Sequence, residues 1–187
     1  MPGPGRTIYL TFDDGPTDGV TQTIMEILQK YGVPATFFVC GTQVETYDEL
    51  YASIIKEGHS IGNHGYHHLN GYHTSTADYF RNAEMGAEIS GSDFFRPPYG
   101  KIRPDQYRCV RRKFTVVFWS IMPYDFDSSL SDADVLNILK RCIRPGSIIA
   151  LHDNIKSKAP LILEEFIMHC LDEGYSFDSL ERLNLVR

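Results

Sequence analysis

Short apolar runs alternate with amphipathic helical stretches along almost the whole chain, and this alternation restricts the fold more than any other feature. Strands are predicted over residues 8–12, 35–39, 94–96, 115–119 and 147–151, with weaker segments at 59–62 and 175–177. Helices are predicted over 20–31, 44–57, 76–90, 104–112, 132–143 and 159–173. In the first helix, Ile24, Ile27, Leu28 and Tyr31 recur at helical spacing. Turn residues separate the runs at Gly32-Val33-Pro34, Glu57-Gly58, Arg144-Pro145-Gly146 and Glu173-Gly174. Repeated strand–helix units favour a parallel sheet covered by helices, and both an open doubly wound sheet and a closed barrel satisfy the pattern. In either, functional residues gather at the C-terminal ends of the strands. With 187 residues, no internal repeat and no low-complexity linker, one domain is expected over 1–187, with a core of about 7–180.

The polar residues obey that rule. Asp13 and Asp14 follow the first strand, His64 the weak strand near Ile61, and Arg96 the third strong one. Asp125 lies past Trp119, and His152 follows the run that ends at Leu151. Adjacent carboxylates raise each other's cost of ionising, so Asp13-Asp14 needs a proton or a cation. An isolated Asp-Asp-Gly is ordinarily an acidic turn. Here Gly62-Asn63-His64-Gly65-Tyr66-His67-His68 adds two imidazoles four residues apart, which a helical turn would place on one face. Asp14, His64 and His68 then form a two-histidine, one-carboxylate set with positions left for water and substrate. Zinc is the first expectation, and the donor set also suits cobalt, nickel or iron. His67 is read as pointing away from the ion, and His59 and His73 as structural or surface residues.

Composition narrows the alternatives. With 18 Lys plus Arg against 24 Asp plus Glu, the formal net charge of −6 argues against nucleic acid or an anionic membrane as the main partner. The cluster Arg108, Arg111, Arg112 and Lys113 reads as the polar side and end of a helix. Cys40, Cys109, Cys142 and Cys170 are widely spaced, which predicts free thiols. No apolar run is long enough to span a membrane, and the first six residues do not read as a signal peptide. No feature sets an oligomeric state, and a monomer is the simplest expectation.

Five segments in order resemble the NodB-like polysaccharide deacetylases, the fourth carbohydrate esterase family. They are Thr11-Phe12-Asp13-Asp14-Gly15, His64-x-x-x-His68, Arg96-Pro97-Pro98-Tyr99-Gly100, the stretch from Trp119 to Phe126, and Ala150-Leu151-His152-Asp153. The resemblance implies an α/β fold, a distorted and incompletely closed (β/α) barrel. It also implies metal-dependent removal of N- or O-acetyl groups from polysaccharides such as peptidoglycan or chitin-like glycans, and commonly export to the cell envelope. It assigns Asp13 as general base, Asp14, His64 and His68 as metal ligands, and His152 as general acid. Arg96 would hold Asp13, Asp125 would orient His152, and the backbone N–H of Tyr99 would bind the oxyanion. Two alternatives keep part of this: hydrolysis of a small amide or cyclic ureide, and a glycan-binding protein with a vestigial centre. An open groove lined by Tyr66, Tyr72, Tyr99, Trp119 or Tyr124 would favour a polymer, a sealed pocket a small molecule.

Four positions depart from the family pattern. Gly65 replaces a hydroxyl residue, and Met122 an aspartate. Phe126 replaces a tryptophan, and Ala150 a leucine that helps form the acetyl pocket. Phe126 with Ala150 predicts a reshaped, roomier acyl pocket.

Overall fold

The computed structural model describes residues 5–183, so the start of the N-terminal segment read above lies outside the described residues. The elements are β1 (Thr7–Asp13), α1 (Val20–Tyr31), β2 (Thr36–Val39), α2 (Gly41–Thr46), α3 (Asp48–Lys56), β3 (Ser60–Asn63) and α4 (Thr76–Ser90). There follow β4 (Phe94–Phe95), α5 (Pro104–Val110), β5 (Thr115–Val116), α6 (Asp132–Cys142), β6 (Ile148–His152), α7 (Ala159–Asp172) and β7 (Ser176–Phe177). The strands run in the order β5-β4-β3-β2-β1-β6, β7 pairs with the start of β1, and the paired strands are parallel. A lone bridge from Ile121 to Ile149 draws the chain beyond β5 toward β6. The sheet therefore curls into a half-barrel, which selects the incompletely closed barrel over the open sheet.

Burial explains the curl. Strand β1 is central, and every residue after Thr7 is buried, as expected where both faces are covered. Its Ile8, Leu10 and Phe12 belong to the main core with Ile24 and Leu28 of α1 and Leu163 and Phe166 of α7. Successive side chains alternate faces. Tyr9 accordingly packs elsewhere, with Phe38 and Val117 in a separate cluster, and Thr11 and Asp13 meet Arg96. A Cβ on Gly62 would lie 2.3 Å from the Phe38 ring, so the bare backbone of β3 makes room for that cluster.

Two elements differ from expectation. The helix predicted over 44–57 breaks at Tyr47 (φ −129°, ψ 51°) into α2 and α3. The Asp48 carboxylate accepts the Glu49 N–H and starts α3 afresh, while α2 begins early, at Gly41, whose N–H donates to Gly65 O. The strand predicted over 115–119 stops at Val116, because the chain leaves the sheet edge there. Among the described residues, no helix is long and apolar enough to cross a membrane.

Candidate active site

Strand register brings the first two groups together. Asp13 and His152 are paired positions on the neighbouring parallel strands β1 and β6, both at the C-terminal end. The Arg96 guanidinium reaches Asp13 from the far side. Its Nη1 donates to Asp13 Oδ1 and to Thr11 Oγ1, both at 2.6 Å, and its plane lies 4.0 Å over the Phe38 ring. Arg96 is fully buried and Asp13 nearly so. Burial lowers the pKa of Arg96, and the Asp13 charge opposes that shift.

The second pair is His152 with Asp125. One Asp125 oxygen accepts from His152 Nδ1 and the other from its backbone N–H, each at 2.9 Å. The second oxygen also accepts from Ser157 Oγ at 2.6 Å, so the carboxylate is held from three directions. Burial pulls the His152 pKa down. The Asp125 hydrogen bond and charge, helped by Asp13 and Asp14, outweigh it and push the value up to about 9. The imidazole is thus cationic near neutral pH, with Nε2 left for the cleft.

Asp14, His64 and His68 each offer a ligand atom, and these atoms lie within 4.8 Å of one another. They converge by a different route from the helical turn expected. His64 follows β3 directly, and the chain turns through Gly65 (φ 81°) and His68 (φ 53°), both left-handed. Helix α4 presses against this turn through Gly86, where a Cβ would fall 2.3 Å from Asn63 Oδ1 and 2.7 Å from the Gly65 carbonyl carbon. At Gly65 (φ 81°) an L side chain would be strained and its Cβ would meet Asn82 Nδ2 at 2.6 Å.

The set fits a cation. His64 Nδ1 lies 2.9 Å from the Arg96 carbonyl oxygen, which can only accept, so Nε2 carries the lone pair. Asp14 Oδ1 is buried without a hydrogen-bond partner, yet His68 Nε2 lies 3.0 Å and His64 Nε2 3.5 Å away. Such closeness without donor geometry is what atoms sharing an ion show.

These groups share one cleft of about 550 Å³, whose walls include Tyr99, Trp119, Met122, Tyr124 and Phe126. Tyr99 (φ 59°) packs its ring 4.4 Å from His68, and Phe126 stands edge-on to His152 at 4.7 Å. Two expectations need correction. Ala150 is fully buried and is not one of the residues lining the cleft, and Met122 and Phe126 form that wall instead. Tyr66 and Tyr72 also lie off the cleft, Tyr66 donating to Glu45. His67 is exposed beside Tyr66, His73 is exposed, and His59 is buried against Phe37.

Sequence reasoning missed the loop after β6. Asp153 accepts from Gly15 N–H (2.7 Å) and Thr21 Oγ1 (2.8 Å), which ties down the turn after the acidic pair. Burial pushes its pKa up to about 7, with Asp14 and Asp13 adding to the shift. Asn154 Nδ2 donates to Asp14 Oδ2 at 2.7 Å, leaving Oδ1 for the ion. The signal available was the polar run Asp153-Asn154 directly after a predicted catalytic histidine.

Known proteins resemble this chain along most of its length. A chitooligosaccharide deacetylase from Bradyrhizobium is 33% identical over 79% of this chain and 71% of its own length. The peptidoglycan-N-acetylmuramic acid deacetylase PdaC of Bacillus subtilis is 31% identical over 97% of the chain, which spans only 39% of that protein. The crystal structure of the Bc1960 peptidoglycan N-acetylglucosamine deacetylase superposes with a TM-score of 0.85 at 30% identity, covering 95% of this chain and 87% of that one. The family model described as polysaccharide deacetylase matches residues 1–117, more than half of the sequence, and the chain belongs to that family.

Proposed function

We propose that this chain is a metal-dependent hydrolase that removes acetyl groups from the N-acetylated sugars of a peptidoglycan- or chitin-like glycan. One observation carries the reading: an aspartate clamped by a buried arginine and a histidine charged by a buried aspartate face one cleft, with a three-ligand cation set between them. Asp14, His64 and His68 would hold the ion. Zinc is the first choice, since nitrogen and oxygen donors with positions left free are its hydrolytic pattern. When bound, the cation polarises the acetyl carbonyl and makes water acidic enough to be deprotonated near neutral pH.

The remaining chemistry belongs to side chains. Asp13 takes a proton from the attacking water as its oxygen bonds to the acetyl carbon. Arg96 keeps that base fixed and oriented. The Tyr99 N–H donates to the developing oxyanion, an interaction worth about 3–4 kcal/mol in comparable sites. His152 Nε2–H then protonates the sugar nitrogen as the carbon–nitrogen bond breaks, yielding acetate and a free amine. A polymer is favoured over a small molecule because Tyr99 and Tyr124, 56% and 54% exposed, stand open on the cleft walls rather than sealing it.

Acetate release from N-acetylglucosamine oligomers, with and without chelator, tests the reading. Asp13→Asn is expected to keep its metal and lose turnover. Asp14→Asn and His64→Ala should lose both. Equal loss of metal in all three variants, or no release at full metal occupancy, would refute it.

A further inference from the structure

The cleft contains charges that the reaction leaves unused. Its two acids are engaged: Asp13 with Arg96, and Asp14 with His64, His68 and Asn154. Its two lysines are not. Lys101 and Lys156 are exposed, and among the described residues neither ammonium meets an acid or a hydrogen-bond acceptor. Elsewhere, Lys30, Lys113 and Lys140 each pair with a glutamate and Lys158 Nζ donates to Asp127 O, while among the described residues Lys56, exposed at the end of α3, has no such partner. In a chain of net charge −6, unpaired cations at the mouth of the site run against the overall charge. Screening over about 8 Å at physiological salt makes the local charge the one a substrate meets.

The two lysines reach the cleft from different loops, one after β4 and one after β6. Lys101 closes the turn after β4, and its N–H donates to Pro98 O at 3.0 Å. Lys156 lies between β6 and α7, with its N–H on Asn154 Oδ1 at 2.9 Å. Strands β3, β2 and β1 stand between β4 and β6, and their ends carry Asp13, Asp14 and His64. A glycan laid in this cleft would meet both lysines. Each lysine offers a single point charge on a flexible stem, enough to pair with one carboxylate of a glycan.

Resting on the deacetylase reading, we propose that Lys101 and Lys156 select a glycan that carries carboxylates beside its acetamido groups, and so set the substrate class. An exposed charge pair contributes up to about fivefold. Two together should give a preference of about tenfold for the acid over its neutral counterpart.

The test compares one oligosaccharide in two forms. Peptidoglycan strands stripped of their stem peptides expose lactyl carboxylates, and methyl esterification removes the charge without altering the sugar. Acetate release is measured from both forms by wild type, Lys101→Gln, Lys156→Gln and the double variant, each metal-loaded. The expected result is a higher kcat/KM for the acid in wild type, a ratio that falls with added salt, and a ratio near one in the double variant. Equal rates on acid and ester, or a preference untouched by the double variant, would overturn the proposal. Trp119, the only tryptophan, lines the cleft and reports binding by its fluorescence. If neither form is turned over, the deacetylase reading fails, and the ratio of Kd values for acid and ester still decides the role of the lysines.

Discussion

Replacing Arg96 by methionine should cost the fold as much as it costs the chemistry. Arg96 is fully buried, Asp13 is 2% exposed, and their contact is 2.6 Å. Methionine roughly preserves the packing over Phe38 but leaves the Asp13 charge buried without its partner. Removing one member of a buried pair costs about 3–5 kcal/mol, a large share of the roughly 5–15 kcal/mol that holds a domain together. Thr11 Oγ1 also loses a donor, adding about 1 kcal/mol. Asp13→Asn/Arg96→Met removes the charge as well as its partner and should recover about 2–3 kcal/mol relative to the sum of the single losses. Urea unfolding of the metal-free protein, followed by circular dichroism and Trp119 fluorescence, measures all four corners of the cycle. If Arg96→Met loses less than about 1 kcal/mol, or if the single losses simply add, the pair is not the electrostatic clamp described.

Further outcomes are expected at His152, Asp125 and Asn154. His152 must be protonated to donate, so kcat should hold at neutral pH and fall as pH rises through about 9. Its pKa is raised in the folded state, so the stability it contributes is complete below its unfolded value of 6.5 and is lost as pH rises through about 9. Asp125→Asn should move the kinetic limb toward acid; a limb that stays in place would sink the assignment. Asn154→Ala should weaken metal affinity by about 10–100-fold in a chelator competition while the metal-free protein unfolds at an unchanged midpoint. An unchanged affinity would show that Asp14 needs no such support.

Much of this was legible in local pattern. Apolar runs of strand length separated by 3.6-residue periodicity announce parallel strands and covering helices, because each element must bury one face. The same pattern marks strand ends, and Asp13, Asp14, His64, Arg96 and His152 stand there. Periodicity is blind where the backbone departs from regular geometry. The break at Tyr47, the left-handed turn that brings His68 back to His64, and the burial of Ala150 each depend on a segment packed from elsewhere in the chain.

The sequence by itself determined which chemical groups the chain carries and at which end of the strands they emerge. Only the tertiary structure decided that they meet. In a flat sheet, Arg96 beyond β4 and Asp13 on β1 would stand three strand spacings apart, about 14 Å, beyond the reach of a side chain. The curl that closes this gap to 2.6 Å comes from the packing of Phe38, Val117 and Gly62 inside the sheet and from helices pressed outside it. Those contacts link residues far apart in the chain, and no local spacing encodes them.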